Sequence, residues 1–333
     1  MTRADTLDAF LAAAGWGAAR RAPLAGDASN RRYLRLHRDG QTAVLMDAPA
    51  ERGEDVRPFM AVAGHLAGLG LSAPRLLAAD PEHGFLLLED LGDALYLTLA
   101  PARPDLEPLL YESAADALVT LHASPPLPGL AAYDAARMGT LAGLAGQWYA
   151  GDAQAARHLA AACTAALAAL PPVAPVMVLR DYHAGNLIWL PERDGPARAG
   201  LLDFQDAMLG HPVYDLVSLV QDARRDVPPD IAARTLAHYA RRTGQQPEAV
   251  ARTAAALGAQ RALRILGVFA RLSLHFGKRG YIALIPRVWD QLHANLADPA
   301  LASLADVVAA TLPPPTPDRL HDLEARCGTI PTL

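Results

Sequence analysis

Asp181 stands five residues before Asn186, with an apolar run on either side, and no other segment constrains the chain as tightly. Val176-Met177-Val178-Leu179 and Leu187-Ile188-Trp189-Leu190 are apolar and partly β-branched, so each reads as a short strand. The second run and Gly200-Leu201-Leu202 flank a Gly/Pro/Asp turn and together read as a hairpin. Asp203 follows that last strand, seventeen residues after Asn186. Two strand ends therefore deliver oxygen-bearing side chains to one region of the chain.

Taken alone, Asp and Asn at strand ends are ordinary turn residues. The repeated apolar-apolar-Asp pattern, followed by Gly210 and by Asp215 in Val213-Tyr214-Asp215-Leu216, argues for a shared centre instead. Phosphoryl transfer needs this set of groups. A carboxylate accepts or orients the proton of an attacking hydroxyl, and hard oxygen ligands hold magnesium on a nucleotide's phosphates. Asp181 suits the first task. The Asn186 amide oxygen and the Asp203 carboxylate suit the second. Asp215 opens an apolar helix, where it either caps the helix or braces the loop by accepting backbone hydrogen bonds.

The flanking sequence divides into unequal parts. Before about residue 90, Arg32–Leu36 alternates in polarity and Thr42–Met46 follows an Arg38-Asp39-Gly40 turn, which predicts a hairpin within a strand-rich stretch over 19–48. Helical spacing covers 55–69, with Gly70 placed as a C-cap glycine. Two further strands are expected near 75–79 and 84–88. The N-terminus predicts a short amphipathic helix capped by Asp5 or Thr6. Beyond Leu95, helical patterns dominate at 105–123, 134–150, 153–170, 212–225, 230–243, 247–276 and 281–310. The Pro-rich run Leu312–Pro317 is expected to end the packed region. This order predicts an α+β protein, a small sheet with one packed helix followed by a larger helical part.

With 333 residues, 52% of them hydrophobic, the chain is long enough for two lobes around a cleft. A net charge of −5 provides no basic excess for a nucleic acid partner. Cys163 and Cys327 define neither a disulfide framework nor a zinc site and suit a reducing compartment. No stretch reaches the roughly 18 apolar residues of a membrane span, and the first residues do not read as a signal peptide. A cytoplasmic monomer without membrane contact is expected.

The stretch 179–216 resembles the catalytic and metal-binding segments of the aminoglycoside phosphotransferase superfamily, relatives of the protein kinases. Arg180-Asp181-Tyr182-His183, Leu202-Asp203-Phe204-Gln205-Asp206-Ala207 and Tyr214-Asp215-Leu216-Val217-Ser218-Leu219 are similar to its branch of anomeric sugar kinases. Those enzymes phosphorylate N-acetylmuramate and N-acetylglucosamine at the anomeric carbon during cell-wall recycling. Asp27–Tyr33, Val44–Pro49 and Arg264–Leu272 extend the similarity, which runs over about 20–295. The resemblance implies a protein-kinase-like fold with a nucleotide-binding lobe at 1–91 and a helical catalytic and substrate-binding lobe at 92–333. It implies ATP and magnesium as cofactors and a small amino sugar as acceptor. Two positions depart from the superfamily pattern. Leu179 stands where a His is usual, and Met46 stands where the third strand usually carries a lysine. The sugar-kinase branch resembles this chain in having Met there.

On the nucleotide side, the small polar loop Gly26-Asp27-Ala28-Ser29-Asn30 is suited to laying backbone N–H groups against phosphates, with Ser29 and Asn30 as added donors. An ordinary hairpin loop explains the same residues. Arg31 or Arg32 is expected to supply the charge that Met46 does not. By resemblance, Glu89-Asp90-Leu91 forms the hinge between lobes, whose main chain reads the adenine edge.

On the acceptor side, Tyr182 and His183 are expected to face substrate, although His183 reads equally as a structural histidine. Gln205 and Asp206 are placed to hydrogen-bond sugar hydroxyls. Arg264 shares a helix face with Arg271 and is either solvated or salt-bridged, or meets the acidic lactyl group of N-acetylmuramate. Trp148 stacks on a sugar or belongs to the core, and His122 reads as structural. An antibiotic kinase binds polycations and needs a carboxylate-lined pocket, whereas the last third here offers arginines. A non-catalytic pseudokinase scaffold has only Met46 in its favour.

Overall fold

The computed structural model describes residues 2–24 and 30–331. Helix α1 (Arg3–Ala13) opens the chain. Thr2, not Asp5 or Thr6, caps it. The Thr2 hydroxyl accepts from the Asp5 N–H and the Asp5 carboxylate accepts from the Thr2 N–H, a reciprocal pair in which Asp5 is the third helical residue rather than the cap.

Five antiparallel strands follow, in spatial order β1-β2-β3-β5-β4: β1 (Arg20–Leu24), β2 (Arg32–Arg38), β3 (Gln41–Asp47), β4 (Leu76–Asp80) and β5 (Phe85–Glu89). Asp39 and Gly40, both at positive φ, make the two-residue turn between β2 and β3, which fixes the Arg38–Gln41 register. Side-chain alternation then splits the sheet into two faces. Ala43, Leu45 and Leu87 pack with Leu11 and Trp16 beneath α1. Met46, Leu86 and Leu88 face the other way, towards Phe59, Val62 and Leu66 of helix α2 (Arg57–Gly68).

The remaining chain is mostly helical: α3 (Tyr96–Ala102), α4 (Glu107–His122), α5 (Ala135–Ala142), α6 (Ala153–Ala168), α7 (Tyr214–Val220), α8 (Pro229–Thr243), α9 (Pro247–Leu274), α10 (Ile285–Leu296), α11 (Ala302–Thr311) and α12 (Pro317–Ala325). Two short ladders interrupt it. Strand β6 (Val176–Val178) pairs with β9 (Met208–Gly210), and β7 (Leu187–Trp189) pairs with β8 (Ala199–Leu201). Among the described residues no helix is long and apolar enough to cross a membrane.

Several expected helices are shorter or broken. The span 134–150 is α5 followed by a π-helical turn at Ala145–Ala150. The span 281–310 breaks at Pro286 and at Asp298-Pro299, where each proline starts a new helical segment. Helix α7 stops at Val220, well short of residue 225. The chain also stays packed beyond Pro317. The Thr316 side chain caps α12, and Leu323 is buried against the main core.

Helix α9 is the spine of the larger part, and eighteen of its residues are buried. Gly267 lets it approach the π-helical turn, because a Cβ there would collide with the Leu144 backbone. Gly267→Ala is expected to lower stability by about 1–3 kcal/mol through overpacking. Urea unfolding measures this, and a variant as stable as the parent would show that the contact can relax freely.

Candidate active site

Strand β6 leads directly into Leu179-Arg180-Asp181. Arg180 has φ +71°, a left-handed conformation that a side chain with a Cβ adopts only when its surroundings enforce it. The enforcing group is Asp215 in the first turn of α7, fully buried. Its carboxylate accepts from the Leu179 N–H at 2.5 Å and from the Arg180 N–H at 2.8 Å. The Ser218 hydroxyl donates to the Arg180 carbonyl at 3.4 Å. Of the two roles open to Asp215, the structure uses the brace. Burial pushes its pKa up to about 7, against the pull of the two N–H donors.

Beyond this turn, the Asn186 amide N–H donates to the Asp181 carbonyl at 2.9 Å and to the Asp203 carboxylate at 3.3 Å. The Asn186 carbonyl in turn accepts from the Leu202 N–H, which ties the loop to the end of β8. Asp203 also sits at positive φ, +57°, a region that aspartate tolerates better than most residues. Gln205 donates to its other carboxylate oxygen at 2.8 Å. The structure thus brings Asp181, Asn186, Asp203 and Gln205 together. Among the described residues the Asn186 amide oxygen has no hydrogen-bond partner. One free amide oxygen and one carboxylate form a hard-donor pair that fits magnesium, with phosphates and water completing the shell. No group of three or more His, Cys, Asp or Glu side chains among the described residues could hold a metal by itself.

Asp181 projects about one-third exposed, with an Arg264 Nη 3.9 Å from its carboxylate. Burial raises its pKa, but the Arg264 and Arg180 guanidiniums outweigh that and hold it below the ordinary aspartate value. Arg264 is therefore neither solvated nor free. It also donates to the Tyr214 hydroxyl at 3.3 Å, which lies 3.2 Å from the Tyr133 hydroxyl.

A cleft of about 490 Å3 opens beside this cluster. Val44, Met46, Leu88 and Ile188 give it apolar walls, and Asn186, Asp203 and Gln205 stand at its polar side. Glu89, Asp90 and Leu91 line it as well. The Glu89 carboxylate is held by Arg193 and Arg75, and that of Asp90 by Arg35. Leu91 makes no main-chain hydrogen bond among the described residues.

Other expected residues are elsewhere. Asp27, Ala28 and Ser29 lie outside the described residues. The Asn30 side chain donates to the Arg52 carbonyl. Arg32 is not a cleft cation. It pairs with Asp47, a buried carboxylate that it shares with Arg3. Arg31 pairs with Glu54. Tyr182 does not face substrate. It is buried against α4, with its hydroxyl donating to the Ala114 carbonyl at 2.9 Å. His183, by contrast, lines the cleft. Asp206 is exposed, and its carbonyl accepts from Arg180. Trp148 is core, with its ring 6.2 Å from His275. His122 is structural, held by the Tyr239 hydroxyl.

Two residues at the site escaped the sequence reading, Asp222 and Arg224. Their only signal is a polar run, Gln221–Asp226, directly after the apolar residues of α7.

Residues 20–255 match the phosphotransferase enzyme family. An N-acetylmuramate/N-acetylglucosamine kinase of Caulobacter vibrioides is 43% identical, covering 89% of this chain and 93% of that protein. A protein of the same name from Pseudomonas aeruginosa is 35% identical, covering 91% and 93%. A GDP complex of wild-type aminoglycoside 2'-phosphotransferase-IIIa superposes with a TM-score of 0.64 at 13% identity, covering 90% of this chain and 99% of that one, which establishes a shared kinase-like fold.

Replacing Asp215 by Ala orphans two buried N–H donors, at about 1–3 kcal/mol each. Asp215→Ala is expected to lower the free energy of unfolding by roughly 2–6 kcal/mol. Denaturant titration tests this, and a loss below the cost of one orphaned donor would mean that the loop does not depend on this carboxylate.

Proposed function

Because the chain belongs to the phosphotransferase enzyme family, we propose that it transfers the γ-phosphoryl group of ATP to the anomeric hydroxyl of N-acetylmuramate or N-acetylglucosamine. The observation that carries this reading is the convergence of Asp181, Asn186 and Asp203 at one end of a cleft with apolar walls. The acceptor class follows the names of its relatives.

In this reading the adenine lies among Val44, Met46, Leu88 and Ile188, with the unpaired Leu91 main chain at its edge. The lobes divide at Leu91/Gly92 in this reading, and the end of the last strand of the large sheet at Glu89 supports that boundary. Asn186 and Asp203 hold magnesium, which neutralises charge on the phosphates. Asp181 hydrogen-bonds the attacking hydroxyl and aligns it. A carboxylate of depressed pKa is a weak base, and that suffices. An anomeric hydroxyl is more acidic than an ordinary alcohol, and in a loose transition state little proton transfer has to precede bond breaking. Positioning and charge stabilisation supply most of the acceleration. Gln205 fixes the Asp203 carboxylate. The arginines around Asp181 disfavour a polycationic acceptor such as an aminoglycoside. The consumption of ATP and two unpaired cysteines suit a cytoplasmic enzyme, acting as a monomer.

Incubation with MgATP and a panel of amino sugars and aminoglycosides, read by phosphorus NMR, is expected to give an anomeric sugar phosphate. Preferential phosphorylation of an aminoglycoside would overturn the acceptor assignment. Asp181→Asn is expected to keep nucleotide affinity while losing about 10²–10⁴ in kcat. Turnover like the parent's would remove Asp181 from its role.

The pH dependence carries a sign. A depressed carboxyl pKa keeps Asp181 ionised to lower pH, so the acid limb of kcat/KM falls below the ordinary aspartate range. Without Arg264, burial dominates, and Arg264→Gln is expected to move that limb upward in pH. A pH–rate profile with an unmoved limb would disconnect Arg264 from Asp181.

A further inference from the structure

A cleft that binds a triphosphate needs positive charge near the group being transferred. Lysine cannot supply it here. The only lysine in the sequence is Lys278, beyond the end of α9 and outside the lining of the cleft. Two arginines line the cleft, Arg35 and Arg224. Arg35 is already neutralised, held by Asp93 at 2.7 Å and Asp90 at 2.8 Å.

Arg224 differs. Among the described residues its guanidinium has one partner, Nε2 of His183, at 2.8 Å. Arginine is an obligate donor, so Nε2 accepts and Nδ1 carries the ring proton. The 3.2 Å approach of the Gly185 N–H to Nδ1 is then a contact rather than a second bond. An imidazole that accepts from a guanidinium is neutral and carries no negative charge, so it leaves the arginine charge uncompensated.

The backbone that carries Arg224 is also held in place. The fully buried Asp222 accepts from the Arg224 N–H at 2.7 Å with one oxygen and from the Ala184 N–H at 3.1 Å with the other. One carboxylate thus joins the Arg224 backbone to the loop that carries Asp181 and Asn186. His183 Nε2 lies 3.4 Å from the Asn186 amide nitrogen, so the guanidinium and the amide of the magnesium-binding pair meet at the same ring nitrogen.

We propose that Arg224 is the phosphate-binding cation of the cleft, engaging the γ-phosphoryl group in the nucleotide and as it is transferred. This assignment rests on the phosphotransferase reading above. It uses donors of a planar fork that His183 does not occupy.

Titration calorimetry with MgADP and with the magnesium complex of the β,γ-imido analogue of ATP tests it. Arg224→Gln is expected to weaken the imido analogue by about ten- to hundredfold, while MgADP stays within about twofold. Turnover should fall by about 10²–10³ with neutral N-acetylglucosamine and acidic N-acetylmuramate alike, with part of it recovered in Arg224→Lys. Equal loss of both nucleotides, no loss of either, or a defect confined to the acidic sugar would each overturn the assignment. Should R224Q fail to fold, R224K alone is expected to weaken the imido analogue by about three- to tenfold through loss of the fork, and unchanged affinity would count against it. The calorimetric difference needs no acceptor. If it holds while the parent protein phosphorylates neither sugar, the acceptor reading fails and Arg224 stands.

Discussion

The Asp215 carboxylate, accepting from the Leu179 and Arg180 N–H groups, is the interaction on which the site depends. Arg180 must turn left-handed for the chain to leave β6 and present Asp181, and an arginine does not adopt that conformation unaided. The brace is buried, so its two bonds do not compete with water, and their geometry sets the loop. Everything downstream inherits this. The Asp181 carbonyl fixes the Asn186 amide, which reaches Asp203, which Gln205 holds from the other side. A chain of single hydrogen bonds thus converts one buried carboxylate into the placement of Asp181, Asn186 and Asp203.

Electrostatics divides the site in two. Around Asp181 the helical side contributes Arg264 and Arg180, which hold the carboxylate ionised. Around Asn186 and Asp203 the groups are an amide and a carboxylate, the latter accepting from Gln205 and Asn186. Arg224 and the neutral His183 adjoin the second region at Asn186. In the proposed function, a phosphate beside Asn186 therefore meets the positive charge of Arg224. The sheet side adds almost none, because Arg31, Arg32 and Arg35 are each paired to a carboxylate.

Much of this was legible in sequence wherever local rules decide the outcome. The β2–β3 hairpin followed from alternation and an Asp-Gly turn, and the convergence of Asp181, Asn186 and Asp203 from fixed spacing around two strands. The reading failed where the outcome is set by distant partners. Arg32 looked like a phosphate ligand because Asp47 becomes its neighbour only through sheet register. Tyr182 looked substrate-facing because strand alternation does not extend past a left-handed residue. Arg224 stood in an ordinary polar run, and its partner His183 lies 41 positions away. Helix breaks near Gly143 and Gly146 were hidden by alanines, which suit any face of a helix. Thr316-Pro317 was read as an ending when a capping threonine followed by proline is also a beginning.

The two parts of the chain are joined by more than the connection through Leu91. Ser72, between α2 and β4, bridges to β8. Its hydroxyl donates to the Ala197 carbonyl at 2.5 Å, and its carbonyl accepts from the Leu201 N–H at 2.8 Å. Arg193, in the turn between β7 and β8, reaches back to Glu89 at 2.8 Å. These contacts fasten the hairpin that carries Asn186 and Asp203 to the sheet side of the cleft. Asp181, Arg264 and Arg224 are anchored instead through α7, α9 and the segment after α7. The hairpin contacts thus add a second support to the one that runs from the Asp215 brace, and the two meet at Asn186.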